Sequence, residues 1–210
     1  MEIWDELYKS GNKEGAVRVL KEESNKENQK AMYDYGLMLL EGLEPVQKDV
    51  EAGKNLLLKL SQLDGNDYHS EIGQGYAGIQ EYGLAIRNLE TAYQKGNKSQ
   101  VGLLAMCCYN DSSFEAAYRY AQEDETNYFG PMVLAFLYEN GQYVQKSRSR
   151  AHEYYCLAVD RGCDIEKVRI KAYTTYYGSA SQGNYIVKRL VIALVGSLII
   201  YLIACFCGAF

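Results

Sequence analysis

A chain of 210 residues is long enough for one domain of moderate size, and its net charge is −5. Every charged residue lies before Leu190, so the part before it is acidic, which argues against a protein that binds nucleic acid. Tyrosine is abundant at 20 residues, proline is nearly absent at 2, and β-branched runs are rare outside the last 25 residues. This composition favours packed helices with aromatic rings between them.

Apolar residues recur at helical spacing along residues 1–177 and predict a series of helix pairs. Glycine is the usual residue after the end of a helix, and Gly42, Gly141 and Gly162 stand at such places. In chain order, the predicted helices cover residues 2–9, 13–23, two segments of 28–66 (the second being 50–63), two segments of 67–97, 101–109, 114–123 and two segments of 127–163. A helix pair of this size cannot bury both of its apolar faces alone, so neighbouring copies are expected.

The second helix of the fourth unit carries a local start signal. Ser112 and Glu115 have the Ser-x-x-Glu spacing of a capping box, in which the two side chains satisfy free backbone N–H groups. The sequence therefore predicts that Ser112 caps this helix.

One small position repeats along the second helices of the pairs. Gly53, Ala85, Ala117 and Ala151 occupy it, at separations of 32, 32 and 34 residues. Large residues follow each of them three or four positions later, such as Tyr154 after Ala151. The small residue allows two helices to approach closely, and the large ones fill the core between units. Two helices in each period of this length are typical of a tetratricopeptide-type α-solenoid.

The fifth unit shows the repeat most clearly. Its first half reads Leu-Ala-Phe-Leu-Tyr-Glu-Asn-Gly over residues 134–141, and its second half carries Val144, Arg150–Ala151, Tyr154–Tyr155, Ala158 and Gly162. This pattern resembles the Sel-one-like (Sel1-like) repeats, a branch of the tetratricopeptide-related solenoids, with Ser147 where an aspartate is usual. The second unit resembles it through Tyr35–Gly36, Gly42, Val46 and Asp49, whereas the third and fourth units have shortened loops. The resemblance implies a scaffold for protein–protein contacts that has no chemistry of its own.

A last helix and a spacer follow the repeats. Residues 164–177 predict a capping helix with an apolar face at Ile165, Val168, Ala172 and Tyr176, and its charged residues suit a polar outer side. Residues 178–187, rich in glycine and serine, are predicted to form a flexible linker.

Residues 190–210 contain 21 residues without a charge. As a helix this stretch spans about 31 Å, at about 1.5 Å per residue, which is enough to cross the hydrocarbon core of a bilayer. It is apolar on all sides, whereas a buried solenoid helix should keep a polar stripe. Lys188 and Arg189 precede it, and the positive-inside rule then leaves the repeats in the cytoplasm. We expect a single-pass, tail-anchored protein whose transmembrane segment covers residues 188–210.

Three groups of residues suggest chemistry that the sequence context does not support. Residues 73–78 spell G-x-G-x-x-G, but the residues before them are polar and strand-poor, which favours close helix packing over a dinucleotide site. His69 and His152 lack neighbouring ligands at metal-binding spacing, and the six cysteines lack C-x-x-C spacing. The basic residues 146–150 favour a solvated helix edge, with an anion site as the alternative. We predict no enzyme, no metal, no cofactor and no small-molecule substrate.

The sequence thus predicts an all-α solenoid of about five helix pairs with a capping helix (residues 1–177), a linker (178–187) and a membrane helix (188–210). The predicted function is a scaffold that holds a protein or peptide partner on its concave face at the cytoplasmic side of a membrane. The partner-binding candidates on or near the first helices are Tyr33, Asp34, Tyr76, Gln80, Tyr128 and Tyr138. The alternative is a regulatory or assembly subunit whose membrane helix packs against others through Gly196 and Ser197.

Overall fold

The structure, a computed structural model, describes residues 2–174. This part of the chain is all-α and contains no strand. Its helices are α1 (Ile3–Lys9), α2 (Lys13–Asn25), α3 (Gln29–Glu41), α4 (Val50–Ser61), α5 (His69–Gly78), α6 (Tyr82–Gln94), α7 (Val101–Asn110), α8 (Phe114–Glu123), α9 (Phe129–Asn140), α10 (Arg148–Asp160) and α11 (Glu166–Thr174). They form five consecutive pairs followed by α11, as the periodicity predicts.

The predicted linker at 178–187 and the predicted membrane helix at 188–210 lie outside the described residues. Within residues 2–174, no helix combines the length and the apolar character needed to cross a bilayer.

Each pair packs on the next, so the core runs along the array. One hydrophobic core extends from Met32 in α3 to Leu137 in α9. A second core joins α9, α10 and α11, and a third joins α1, α2 and α3 around Trp4. The first helices of successive units also contact each other, α3 with α5 and α7 with α9. This nearest-neighbour packing is what a helical repeat array requires.

The repeating small position predicted from the sequence is confirmed. Gly53, Ala85, Ala117 and Ala151 are each the fourth residue of a second helix, and each is buried. A Cβ atom added at Gly53 would lie only 2.8 Å from Leu40 Cδ2 and 3.0 Å from the carbonyl oxygen of Gly36. The close approach of α3 and α4 therefore depends on the absence of a side chain here.

In three of the pairs the same three-residue turn joins the two helices, and its middle residue has the left-handed backbone conformation. The middle residues are Gly11, Gln80 and Ser112, with φ of 88°, 64° and 64°. In the turn after α5, Gln80 N donates to the carbonyl of Ala77 and Glu81 N donates to the carbonyl of Tyr76, both at 3.0 Å. This is the Schellman pattern, which glycine adopts most easily.

The predicted capping box at Ser112 is wrong. Ser112 is the left-handed residue of the turn, so the N-cap of α8 is the next residue, Ser113. The Ser113 side chain makes no capping hydrogen bond, and its hydroxyl instead lies 3.3 Å from Asp111 Oδ2. The spacing of Ser112 and Glu115 did not reveal which serine the turn would place in the left-handed conformation.

We expect Gln80→Gly to stabilise the protein by about 1 kcal/mol, because glycine adopts the left-handed conformation without the steric cost of a Cβ atom. Urea unfolding followed by circular dichroism measures this change. Gln80→Ala serves as the control, since it removes the same side-chain atoms but keeps Cβ. Equal stability of the glycine and alanine variants would contradict the strain at this residue.

The second and fifth units instead carry longer loops, at residues 42–49 and 141–147. Both begin with a left-handed glycine, Gly42 or Gly141, whose N–H donates to a carbonyl of the preceding helix. Both end with an N-cap side chain: Asp49 accepts from Ala52 N and Ser147 accepts from Arg150 N. The predicted equivalence of Ser147 with the usual aspartate is therefore confirmed.

The turn between α8 and α9 contains a buried carboxylate. Asp124 is only 5% exposed. Its Oδ1 accepts from Asn127 N and its Oδ2 accepts from Gly130 N, both at 2.9 Å. Gly102 and Gly130 leave room for it, because a Cβ atom at Gly102 would lie 2.0 Å from Asp124 Oδ2. Arg161 then closes the turn by donating to the carbonyls of Asp124 and Asn127.

The apolar face predicted for the last helix is confirmed only in part. Val168 and Ala172 are buried against α10, but Ile165 is 41% exposed. Ile165 precedes the first residue of α11, and its carbonyl accepts from Val168 N and Arg169 N, so it caps the helix start and is not part of the buried face. Tyr176 lies outside the described residues.

Candidate protein-binding surface

The G-x-G-x-x-G motif lies inside a helix, as the packing interpretation predicts. Gly73, Gly75 and Gly78 all belong to α5. A Cβ atom at Gly73 would lie 2.5 Å from Leu89 Cγ and 3.2 Å from the carbonyl oxygen of Ala85. The motif therefore brings α5 close to α6 and forms no phosphate-binding loop.

One histidine lies beside a cysteine, but the thiol is not activated. His152 Nε2 is 3.6 Å from Cys156 Sγ. Burial, followed by the charge of Asp160, raises the pKa of Cys156, so its thiol stays protonated at neutral pH. Burial likewise raises the pKa of Cys107 and of Cys108 to about 12.

The second histidine has a structural partner. His69 Nδ1 lies 3.2 Å from Asn88 Oδ1, and Asn88 Nδ2 donates to the Leu84 carbonyl. Over residues 2–174, no group of three or more histidine, cysteine, aspartate and glutamate side chains is placed to hold a metal ion.

Two of the six predicted partner-binding residues pack in the core. Tyr76 has no exposed surface, and its hydroxyl donates to the Lys54 carbonyl at 3.0 Å. Tyr138 is 5% exposed; its ring stacks on Tyr154 and its hydroxyl accepts from Arg150 Nη1 at 2.9 Å. Tyr76 thereby connects α5 to α4 of the preceding pair, and Tyr138 connects α9 to α10 of its own pair.

Tyr33 and Asp34, in contrast, lie together at a partly exposed site. The ring of Tyr33 is 5.6 Å from that of Tyr68, which precedes α5. Asp34 Oδ2 accepts from Trp4 Nε1 at 2.9 Å and from Lys30 Nζ at 2.6 Å. The site therefore joins the first three units through side chains of α1, α3 and the start of α5.

The electrostatic surroundings of this site are acidic. Burial raises the pKa of Tyr33 to about 12, and the negative charges of Glu71, Asp34 and Glu41 contribute to the shift. Glu71 is half-buried; one of its carboxylate oxygens, Oε2, is fully buried and has no hydrogen-bond partner within the described chain. We call Tyr33, Asp34, Tyr68 and Glu71 the acidic tyrosine cluster.

The other two predicted residues lie elsewhere. Gln80 is exposed in the turn after α5. Tyr128 precedes α9, is half-buried, and has its ring 4.5 Å from that of Phe129. The structure thus brings together Tyr33 and Asp34 but does not join all six candidates into one surface.

A row of three aromatic rings crosses the fourth and fifth units. Phe136 of α9 lies 5.5 Å from Tyr109 and 5.9 Å from Tyr155, measured between ring centroids. At its far end the row meets Lys171 of α11, which pairs with Glu139 and lies 5.4 Å from the centroid of Tyr155. This row of half-buried and buried rings joins the first helices α7 and α9 to the second helix α10.

The carboxylate in this row is held in its charged form. Burial alone would raise the pKa of Glu139, but hydrogen bonds from Lys171 and Tyr155 bring it below the usual value. Glu139 in turn raises the pKa of Tyr155, in addition to the effect of burial.

Sequence reasoning missed Tyr68 and Glu71 in the acidic tyrosine cluster. Tyr68 lies before the first residue of α5, so the helical periodicity gave no reason to place it beside Tyr33. The repeat itself is the available signal. In such an array the start of one first helix, here α5, lies beside the first helix of the preceding unit, here α3.

The Sel1 repeat family matches residues 29–65 and residues 114–163. The first match covers α3 and α4, and the second covers α8, α9 and α10. No curated protein matches the chain. The two matches agree with the helical-repeat architecture of the described residues, and Sel1 repeats suggest a protein–protein interaction scaffold. Residues 29–65 and 114–163 are thus the segments of the chain that are similar to Sel1 repeats.

Proposed function

We propose that this protein is a membrane-tethered scaffold that binds a partner protein through the surface of its first helices. The observation that carries the proposal is the acidic tyrosine cluster, in which two partly exposed rings and two partly exposed carboxylate residues come from neighbouring units. Contacts between α3 and α5 and between α7 and α9 support placing these helices on one inner layer, the concave face of a solenoid.

The chemistry of the cluster favours a partner segment with basic and apolar side chains. Tyrosine offers a rigid ring for apolar contact and a hydroxyl for hydrogen bonding. Glu71 and Asp34 place negative charge beside the rings. A lysine or arginine of the partner would be attracted by the negative charge of Glu71 and Asp34, and an apolar neighbour would pack on Tyr33 and Tyr68.

Membrane tethering is the second part of the proposal. It rests on the 21 uncharged residues 190–210, which match the hydrocarbon thickness of a bilayer as a single helix. Lys188 and Arg189 precede this stretch, and their positive charge favours a cytoplasmic position for the repeats. The partner would then be held at the cytoplasmic surface of that membrane.

Proximity labelling from the repeats in the native cell tests the partner surface. We expect Glu71→Lys to reduce recovery of the labelled partner by at least about tenfold, because charge reversal repels a basic segment. Glu22→Lys makes the same change at an exposed position of α2 and should leave recovery unchanged. If both variants keep the wild-type melting temperature and label the same proteins to the same extent, partner binding through this cluster is contradicted.

Replacing residues 190–210 with an unrelated membrane span separates the scaffold from the alternative assembly subunit. A scaffold keeps its partner after the exchange, because the partner contacts only the repeats. An assembly subunit loses it, because small residues such as Gly196 and Ser197 then no longer pack against partner helices.

A further inference from the structure

A cavity of about 480 Å³ lies under the long loop of the fifth unit. It is lined by Tyr138, Val144, Gln145, Lys146, Ser147 and Arg150. These residues come from the end of α9, the loop 141–147 and the first turn of α10. The cavity is remote in sequence from the acidic tyrosine cluster and plays no part in the proposed function.

The cavity is positively charged in a protein of net charge −5. Lys146, Arg148 and Arg150 are exposed, and none of them forms an ion pair with another residue of the range 2–174. The carboxylate of Glu139 is already paired with Lys171, and the charge of Lys146 makes only a smaller contribution to lowering the pKa of Glu139. Glu153 is exposed one turn further along α10.

Arg150 is held in place without a carboxylate. Its Nη1 donates to the hydroxyl of Tyr138 at 2.9 Å, and its guanidinium carbon lies 5.2 Å from the centroid of that ring. The remaining N–H groups of the guanidinium are available to an acceptor from outside. A guanidinium that is already oriented loses less conformational entropy when it binds a carboxylate.

Aromatic rings flank the charged residues. Tyr143 is 57% exposed and left-handed, with φ of 62°, and its ring lies 5.5 Å from that of Tyr118. The rings of Tyr138, which lines the cavity, and Tyr154 stack on each other between α9 and α10. Tyr143 immediately precedes Val144, the first loop residue that lines the cavity, and its exposed ring offers apolar contact area in addition to the charge.

The second unit contains the corresponding long loop but different charged residues. Comparing the two loops shows which charges are particular to the fifth unit. Its loop 42–49 also covers a cavity, whose lining includes Lys48, Asp49 and Glu51. Lys48 corresponds to Lys146, since each contacts the left-handed glycine at the start of its loop. In the fifth unit Ser147 and Ser149 replace the two acidic residues, and Arg150 replaces Ala52. The positive charge therefore belongs to this unit and not to the repeat in general.

We infer that the cavity under loop 141–147 binds an acidic peptide segment of a partner protein. A carboxylate of the segment pairs with Lys146 and Arg150, and an apolar side chain beside it packs on Tyr143. We infer an acidic occupant because the side chains of Lys146 and Arg150 are positively charged. We infer a peptide because the exposed ring of Tyr143 favours an occupant that also has apolar side chains.

Fluorescence polarisation with the full chain in a non-ionic detergent tests the inference. The probe is a short fluorescein-labelled peptide rich in glutamate and leucine, and its counterpart has lysine in place of glutamate. We expect only the acidic peptide to bind, and Lys146→Glu to weaken its binding by about tenfold. The matched control is Lys48→Glu, which makes the same change in the equivalent loop and should alter binding by less than about twofold.

A second variant keeps the test decisive if charge reversal disturbs the loop. Tyr143→Asn removes the ring but suits the left-handed backbone, and it should weaken peptide binding while leaving the melting temperature unchanged or higher. Three results would overturn the inference: no binding of the acidic peptide, equal losses for Lys146→Glu and Lys48→Glu, or binding of soluble glycerophosphoserine, a lipid headgroup, without binding of the peptide.

Discussion

Asp124→Ala is expected to destabilise the protein by about 3 kcal/mol, because two backbone N–H groups, one of them fully buried, then lose their acceptor. These groups belong to Asn127 and Gly130, and each donates to one of the two carboxylate oxygens at 2.9 Å. The loss should affect the junction of α8 and α9 first, since Asp124 is the residue that turns the chain from one helix to the next. Urea unfolding at neutral pH, followed by circular dichroism, measures the change.

Glu125→Ala is the matched control for this prediction. Glu125 is the neighbouring carboxylate, but it is exposed, so its removal should change stability by less than about 0.5 kcal/mol. Equal midpoints for the two variants would show that the buried carboxylate does not hold the turn.

Gly73→Ala and Gly78→Ala are expected to change stability in opposite directions, although both lie in the same helix and the same motif. Alanine at Gly73 would place Cβ 2.5 Å from Leu89 Cγ, so α5 and α6 must move apart, which costs about 1–3 kcal/mol. A Cβ atom at Gly78 meets no atom within 4 Å, so Gly78→Ala should stabilise the protein by about 0.5–1 kcal/mol, because alanine has a higher helix propensity than glycine.

Differential scanning calorimetry on the two single variants and their double variant measures both effects. Because the two sites do not share a neighbour at Cβ, their effects on the free energy of unfolding should add to within about 0.5 kcal/mol. A stabilised Gly73→Ala variant would contradict the role of this glycine in bringing the helices together.

The repeat architecture was predictable because its signals are local. Each unit repeats a small residue near the start of its second helix, and Gly42 and Gly141 mark the ends of first helices with a conformation that glycine prefers. Ser147 was recognisable as the counterpart of the usual aspartate from its place between Gly141 and Ala151. These features depend on the residues of a single unit and need no knowledge of its neighbours.

The surface was less predictable, because exposure depends on neighbouring units. Residues 130–135 of α9 are all buried, since this helix packs against α7, α8 and α10 at once. No apolar stripe then distinguishes an inner face, and Tyr138 was predicted as a contact residue although it packs between α9 and α10. The same limit hid the pairing of Tyr33 with Tyr68, which belong to different units.

The turn residues show a third kind of limit. Gln80 and Ser112 adopt the left-handed conformation that Gly11 adopts in the first turn. Neither residue type indicates this conformation, so the sequence placed the cap of α8 at Ser112 and not at Ser113. The geometry of the three-residue turn, which is the same in all three units, overrides the preference of the residue.

Unequal recombination between repeats can change the length of such an array by whole helix pairs. Ala85 and Ala117 occupy the same place in α6 and α8, and both follow the same kind of three-residue turn. A gene deletion that brings the codon of Ala117 to the place of the codon of Ala85 removes the equivalent of one helix pair. The start of α6 is then followed by the rest of α8. Variation in repeat number among related proteins would then alter the reach of the binding surface while each remaining pair keeps a neighbour of the same shape.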